Sequence, residues 1–470
     1  MATEIQIQKY DEIIENYISF ASKFLKRYYM CRSRYLAGLL DAEMRIARMG
    51  LSVDEVREKY TDDEKMKGCQ LHEAARNGDH VLALQLLQSN PNLMFYSVDG
   101  NTVLHVTAMR GNRCFVKKLI DFIREKPLVF ESKKCPYIIL NDDEDTALHL
   151  ALKFKHEELA SDLVKEFPEP KFVYAVNKNE MMPIMLAVRA GYSNLVEDML
   201  KQAPWTSISP EIRNFLQHST ILHDAMDTKN LGMLQIVLDN MPALAESVSV
   251  WCTPLIYAVN KGYVEAVQYF LNKFPNLVTT CTDEGVFPIH AAIMVDNICI
   301  VKEILSHYPE AMNQEYTNEY MFGGWRPLSY ATYMGRLSIV RFMLTNFPEY
   351  ATKCDSDRDF PIHWTFGIHA DESVDFLKEF ISCVPETLYQ VNERGETILH
   401  LVVRYTRPEY LSYLKTLPEF NNIFHLKNVD GNTFLDLMKQ KMEYHRSHPE
   451  AQTFFKRMKE GLERSFKFQV

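Results

Sequence analysis

Histidine is the residue type in this chain best placed to do chemistry. Seven of the fifteen histidines (His72, His105, His149, His223, His290, His363 and His400) recur at one place in a repeating phrase. Imidazoles can bind metal or act as general acids and bases near neutral pH. Both uses need convergence, whereas stacked repeats would place one ring per layer, about 10 Å apart at the usual spacing of packed helices. The pairs His72 with His80 and His363 with His369 lack the i, i+4 spacing of a helical metal site. The rings therefore read as structural, each bonding to nearby turn backbone. No G-x-S-x-G, P-loop or G-x-G-x-x-G is present, and Gly323-Gly324 reads as an isolated finger turn. A nucleophile such as Cys252 or Cys354 would need a histidine from another repeat, which leaves an enzyme or enzyme subunit as the alternative class. No cofactor and no metal are expected.

The elements that position these residues follow from the phrase itself. It is clearest at Asp99-Gly-Asn-Thr-Val-Leu-His105, Ser219-Thr-Ile-Leu-His223 and Gly395-Glu-Thr-Ile-Leu-His400. Its aliphatic anchor falls at Leu71, Leu104, Leu148, Ile184, Leu222, Leu255, Ile289, Leu328, Ile362, Leu399 and Leu435, at a mean interval of 36.4 residues. Thr102, Thr146, Thr220, Thr253, Thr397 and Thr433 can cap the first amides of a helix, and Pro183, Pro254, Pro288, Pro327 and Pro361 suit its first turn. Gly78, Gly111, Gly191, Gly262 and Gly335 follow their anchors by seven residues, as left-handed stops. Apolar pairs such as Ala266/Val267 with Phe270/Leu271 then mark a second amphipathic helix. A proline stands twenty residues after seven anchors, for example Pro91, Pro275 and Pro348, where it should end that helix and turn the chain outward.

This phrase resembles the ankyrin repeat, whose period is about 33 residues. The Phe274-Pro-Asn-Leu277 ending and the variants Asp283-Glu-Gly-Val-Phe-Pro-Ile-His290 and Asn428-Val-Asp-Gly-Asn-Thr433 are similar to plant ankyrin proteins of the accelerated-cell-death type. The resemblance covers about residues 65–440. It implies an all-α ankyrin solenoid with finger hairpins, and a place in plant immune or stress signalling. Such proteins usually continue into a membrane domain, whereas here Lys439-Gln-Lys-Met-Glu-Tyr-His445 is charged, so that domain is expected to be missing.

The expected organisation is a helical cap over 1–66, a solenoid over 67–438 and a C-terminal helical cap or tail over 439–470. The basic N-terminal helices have an alternative use, as a peripheral membrane adaptor. A net charge of −10 over 470 residues argues against nucleic acid, and nine scattered cysteines suit reduced thiols in the cytoplasm. No apolar run reaches 18 residues, and Met1-Ala2-Thr3-Glu4 does not open a signal peptide.

What remains is recognition of a protein partner on the concave face by a monomer. Only Gly100, Gly285, Gly324, Gly395 and Gly431 stand four residues before an anchor, the finger position. Trp251 replaces glycine there, Trp325 follows Gly324, and a longer interval inserts Tyr320 and Phe322. With Arg326, Tyr330 and Tyr333 these are hot-spot residue types, expected at exposed positions, so that Trp251 and Trp325 could be truncated without unfolding. The alternative is that the aromatics fill gaps between degenerate fingers.

Overall fold

Most anchors lie in the first turn of a helix whose start is set by a capping threonine or by a proline at its first position. In repeat three, Thr146 Oγ1 accepts from the His149 amide while the Thr146 amide donates to His149 Nδ1 at 3.1 Å. The result is a pair of helices per repeat: Ala147–Lys153 then Glu157–Glu166, Pro183–Ala190 then Ser193–Gln202, Pro288–Met294 then Ile298–His307, Pro327–Tyr333 then Leu337–Asn346. In repeat nine the first element tightens to a 3-10 helix, Pro361–Gly367, ahead of Ser373–Cys383. This computed structural model describes residues 51–52, 60–130, 135–217, 220–246, 252–318, 321–355, 358–367, 373–405 and 407–444. The N-terminal helices read from the sequence, the tail beyond 444, Trp251 and Tyr320 lie outside them.

The chain divides into two units, Met1–Leu244 and Ala245–Val470. Within the first, successive first helices pack side by side, Val103–Arg110 against Asp62–Asn77 and against Ala147–Lys153. Within the second, Pro288–Met294 lies between Pro254–Asn260 and Pro327–Tyr333. The anchors from Leu71 to Leu399 are buried between these layers. Leu435 departs from the reading. It is half-buried, and the neighbouring Phe434 is fully buried in its stead, packing on Phe424, because no further repeat covers repeat eleven among the described residues. The charged run after it continues the helix Phe434–Tyr444, where Lys441 Nζ donates to the Val403 and Arg404 carbonyls at 2.7 and 2.6 Å.

The periodic prolines do more than stop the second helix. Pro275 opens a 3-10 turn, Pro275–Thr279, that folds back and buries Leu277 and Val278; Pro309–Asn313, Pro348–Thr352 and Pro385–Tyr389 do the same. The outward turn expected at these prolines is therefore an inward, apolar one.

Three fingers lacking glycine keep the left-handed geometry. Glu144, Glu180 and Arg358 stand four residues before their anchors at φ of 60°, 58° and 60°. What holds them is a side chain three residues earlier. Asn141 Oδ1 accepts from the amides of Asp143 and Asp145 at 3.0 and 2.9 Å, and Asn177 repeats this with Asn179 and Met181. Asp355, Asn392 and Asn428 occupy the same register. In repeat eight the finger lengthens into an antiparallel hairpin, Tyr316–Asn318 with Met321–Trp325.

Candidate recognition surface

The histidines join layers. Because the Thr102 amide donates to His105 Nδ1, the Nε2–H is left to donate to the Ile139 and Asp145 carbonyls of the next finger, at 3.1 and 3.0 Å. His149 reaches Met181, His290 reaches Trp325 and His400 reaches Asn432 in the same way, each at 3.1 Å. Local turn bonds were expected; the bond to the following repeat is the added finding. Burial strips water from the imidazolium, which holds His105 and His149 at about 4 and His290 at about 3. Buried rings kept neutral are poor general acids at neutral pH, and among the described residues no three His, Cys, Asp or Glu side chains gather as metal ligands.

A second register runs along the finger side of the first helices. The residue three before the anchor faces the residue five after it. In repeat three Asp145 accepts from Lys153 at 2.5 Å, in repeat ten Glu396 pairs with Arg404, and in repeat eleven Asn432 accepts from Gln440 at 3.0 Å. Both acids are buried, Asp145 at 2% and Glu396 at 1% side-chain exposure. The cation can also cross to the next layer: Arg189, five after its anchor, chelates Asp224, two after the following one, at 3.0–3.2 Å. Asp224 is nonetheless pushed up from the ordinary carboxylate range, since its burial outweighs that arginine.

In repeat eight the same register is aromatic. Trp325 and Tyr333 pack at a tilt of 52° with centroids 4.5 Å apart, and Trp364, two residues after the next anchor, closes on Trp325 at 4.7 Å and on Tyr333 at 5.8 Å edge-on. Tyr330 and Tyr316 continue the cluster to His290 at 5.5 and 5.7 Å. Exposure differs from the sequence reading. Trp325 is 2% exposed and Tyr330 is buried, because the hairpin strand ending at Trp325 lays that indole under Tyr333 and Trp364. Arg326 is half-buried, its Nη1 donating to the Cys354 carbonyl at 3.1 Å and its Nη2 to Glu315 at 3.2 Å. Phe322 lies within the strand Met321–Trp325. The half-exposed rings are Tyr333 and Trp364, and Trp364 was missed. Its signal was available: it follows the Ile362-His363 pair directly, two residues past an anchor, on the face Tyr330 occupies in repeat eight.

A different cavity, about 420 Å³, lies on the second helices among Arg113, Glu158, Asp162, Lys165 and Asp198. Arg113 is already held there by Asp162 at 2.7 and 3.1 Å and by Glu158, so its charge is spent within the fold.

The repeat assignment is independently supported. A model of ankyrin repeats (three copies) matches residues 71–172 and 255–357. These two stretches are ankyrin repeats. Protein ACCELERATED CELL DEATH 6 of Arabidopsis thaliana is 27% identical over 258 residues, covering 51% of this chain and 38% of that protein. The transient receptor potential cation channel subfamily A member 1 of Drosophila melanogaster is 24% identical over 202 residues, 42% of this chain and 16% of the channel. Among solved structures, the ankyrin repeat domain of Bcl-3 is 20% identical with a TM-score of 0.32, over 60% of this chain and 100% of that one. The chain thus spans about two fifths of the plant relative. Among the described residues no helix is long and apolar enough to cross a membrane.

Proposed function

We propose that this protein is a non-enzymatic, monomeric, cytoplasmic scaffold that recognises a protein partner along the finger side of its first helices, in plant immune or stress signalling. The single observation that carries the recognition surface is the aromatic replacement in repeats eight and nine. Where repeats three, ten and eleven close the finger–helix register with an internal pair, this one leaves Tyr333 and Trp364 half-exposed over a buried Trp325. Half-exposed aromatic side chains resting on a buried ring are the usual anchors of protein interfaces. The signalling context is supported by the identity to the plant relative named for accelerated cell death. Trp251, Tyr320 and Phe322, read from the sequence as finger residues, stay in the proposal.

The experiment is retention of interacting proteins from plant extract on the immobilised full chain, comparing wild type with Tyr333→Ala and Trp364→Ala. Specific partners should be lost from both variants while Lys155→Ala, on a separate exposed turn, retains them. Equal retention by all three would remove the surface from consideration.

A further inference from the structure

Repeat nine breaks the finger–helix register in a way that specifies what is absent. It keeps an acid three residues before its anchor, Asp359, but carries Gly367 five residues after it, where repeats three and ten place Lys153 and Arg404. The acid is accordingly open: the Asp359 side chain is 28% exposed, against 2% for Asp145 and 1% for Glu396 under their cations. The neighbouring imidazole does not supply the missing charge. The Phe360 amide donates to His363 Nδ1, so that nitrogen presents a lone pair, although it lies only 3.2 Å from Asp359 Oδ1. No lysine or arginine nitrogen comes within ion-pairing distance of Asp359 among the described residues.

The groups beside Gly367 also favour a cation. A Cβ added to Gly367 would meet Tyr333 Cδ2 at 3.4 Å, so the glycine opens directly beside that ring. Trp364 adjoins Tyr333, perpendicular to it at 89°. Its Nε1–H donates to Asp355 Oδ2 at 2.8 Å, and a carboxylate on the indole N–H enriches the ring face in electron density. Electron-rich Trp and Tyr faces attract cations, and the planar guanidinium both stacks on them and pairs with carboxylate.

We infer that the repeat-nine notch receives an arginine side chain from the protein partner, its guanidinium paired with Asp359 and stacked against Tyr333 and Trp364. The arginine does in trans what Arg404 does in cis one repeat later. This inference rests on the recognition reading and adds the chemistry of the recognised side chain.

The test uses the full chain and two capped probes, Ac-Gly-Arg-Gly-NH2 and its uncharged isostere Ac-Gly-citrulline-Gly-NH2, observed by saturation-transfer NMR on the peptide. The arginine probe should receive about fivefold more saturation than the citrulline probe, the scale of one charge-assisted contact. Asp359→Asn should bring the two probes level. Gly367→Lys, which places a cation in the notch from within, should abolish the difference as well, and its backbone is not in the left-handed region that would resist a side chain. Circular dichroism and melting temperature establish that each variant is folded, and either variant alone suffices. Equal signals from both probes on the wild type, or a preference for arginine that survives in a folded variant, would overturn the assignment. If partners are lost on Tyr333→Ala and Trp364→Ala while the probes behave alike, recognition stands and the arginine assignment falls.

Discussion

Trp325 and Tyr333, with centroids 4.5 Å apart, hold the places that Asp145 and Lys153 hold in repeat three. One backbone register thus accepts an ion pair, an amide pair or an aromatic pair, and the choice decides whether a layer is sealed or left open. The ionic version is sealed, because removal of its cation strands a carboxylate in the interior. Arg404→Met should therefore cost about 3 kcal/mol, since an unpaired buried carboxylate is far more expensive than the pair is beneficial. Glu396→Gln in the same chain should restore most of the loss. Urea unfolding of the two single variants and the double variant measures this directly, and simple additivity would refute it.

The aromatic version makes an opposite separation of roles. Trp325→Ala should lower stability by about 3–5 kcal/mol, as expected for emptying a buried indole site. Trp364→Ala and Tyr333→Ala, each half-exposed, should cost less than half as much while weakening partner retention more. Thermal melts paired with the retention assay separate these outcomes. An unchanged melting temperature in Trp325→Ala would mean the indole is not the floor of the cluster.

The backbone predicts its own improvement. Lys155 and Lys229 end their first helices seven residues after the anchor, where other repeats use glycine, at φ of 61° and 51°. The left-handed region costs a side-chain-bearing residue about 1–2 kcal/mol, partly offset by the greater freedom glycine has when unfolded. Both side chains are exposed, so Lys155→Gly and Lys229→Gly should each raise stability by about 0.5–1 kcal/mol. A drop in the urea midpoint for either would show that the lysine makes contacts worth more than its strain.

Periodicity made the layers legible, because anchor, cap and helix stop are all short-range and repeat with the fold. The finger conformation was half legible: glycine announced it in five repeats, but the Asn141 and Asn177 side chains that impose it elsewhere were overlooked, although they too stand in register, seven residues before the anchor. The site was misjudged in exposure. Trp325 reads as a finger-tip residue, and only the long hairpin, whose pairing depends on residues far from the anchor, turns it inward. Trp364 escaped notice because its role depends on Tyr333 in the preceding layer, a relation between repeats that no single repeat displays.

The inter-layer histidines give the fold an acid limit. His105 and His149 titrate at about 4 when folded, against an ordinary value of 6.5. A folded pKa below the unfolded one means that the unfolded chain binds more protons between those values, so stability rises with pH there. The contribution is complete above about pH 6.5 and is lost as pH falls toward 4, up to about 3 kcal/mol per ring. Carboxylates add their own loss below about pH 5, so the discriminating measurement is a difference. His149→Gln can still accept from the Thr146 amide and donate to the Met181 carbonyl but cannot be protonated. It should be less stable than wild type at pH 7.5 and should lose less between pH 7 and pH 5, so the two urea-midpoint curves converge on acidification. Parallel curves would show that His149 is already protonated, or never desolvated, in the folded stack.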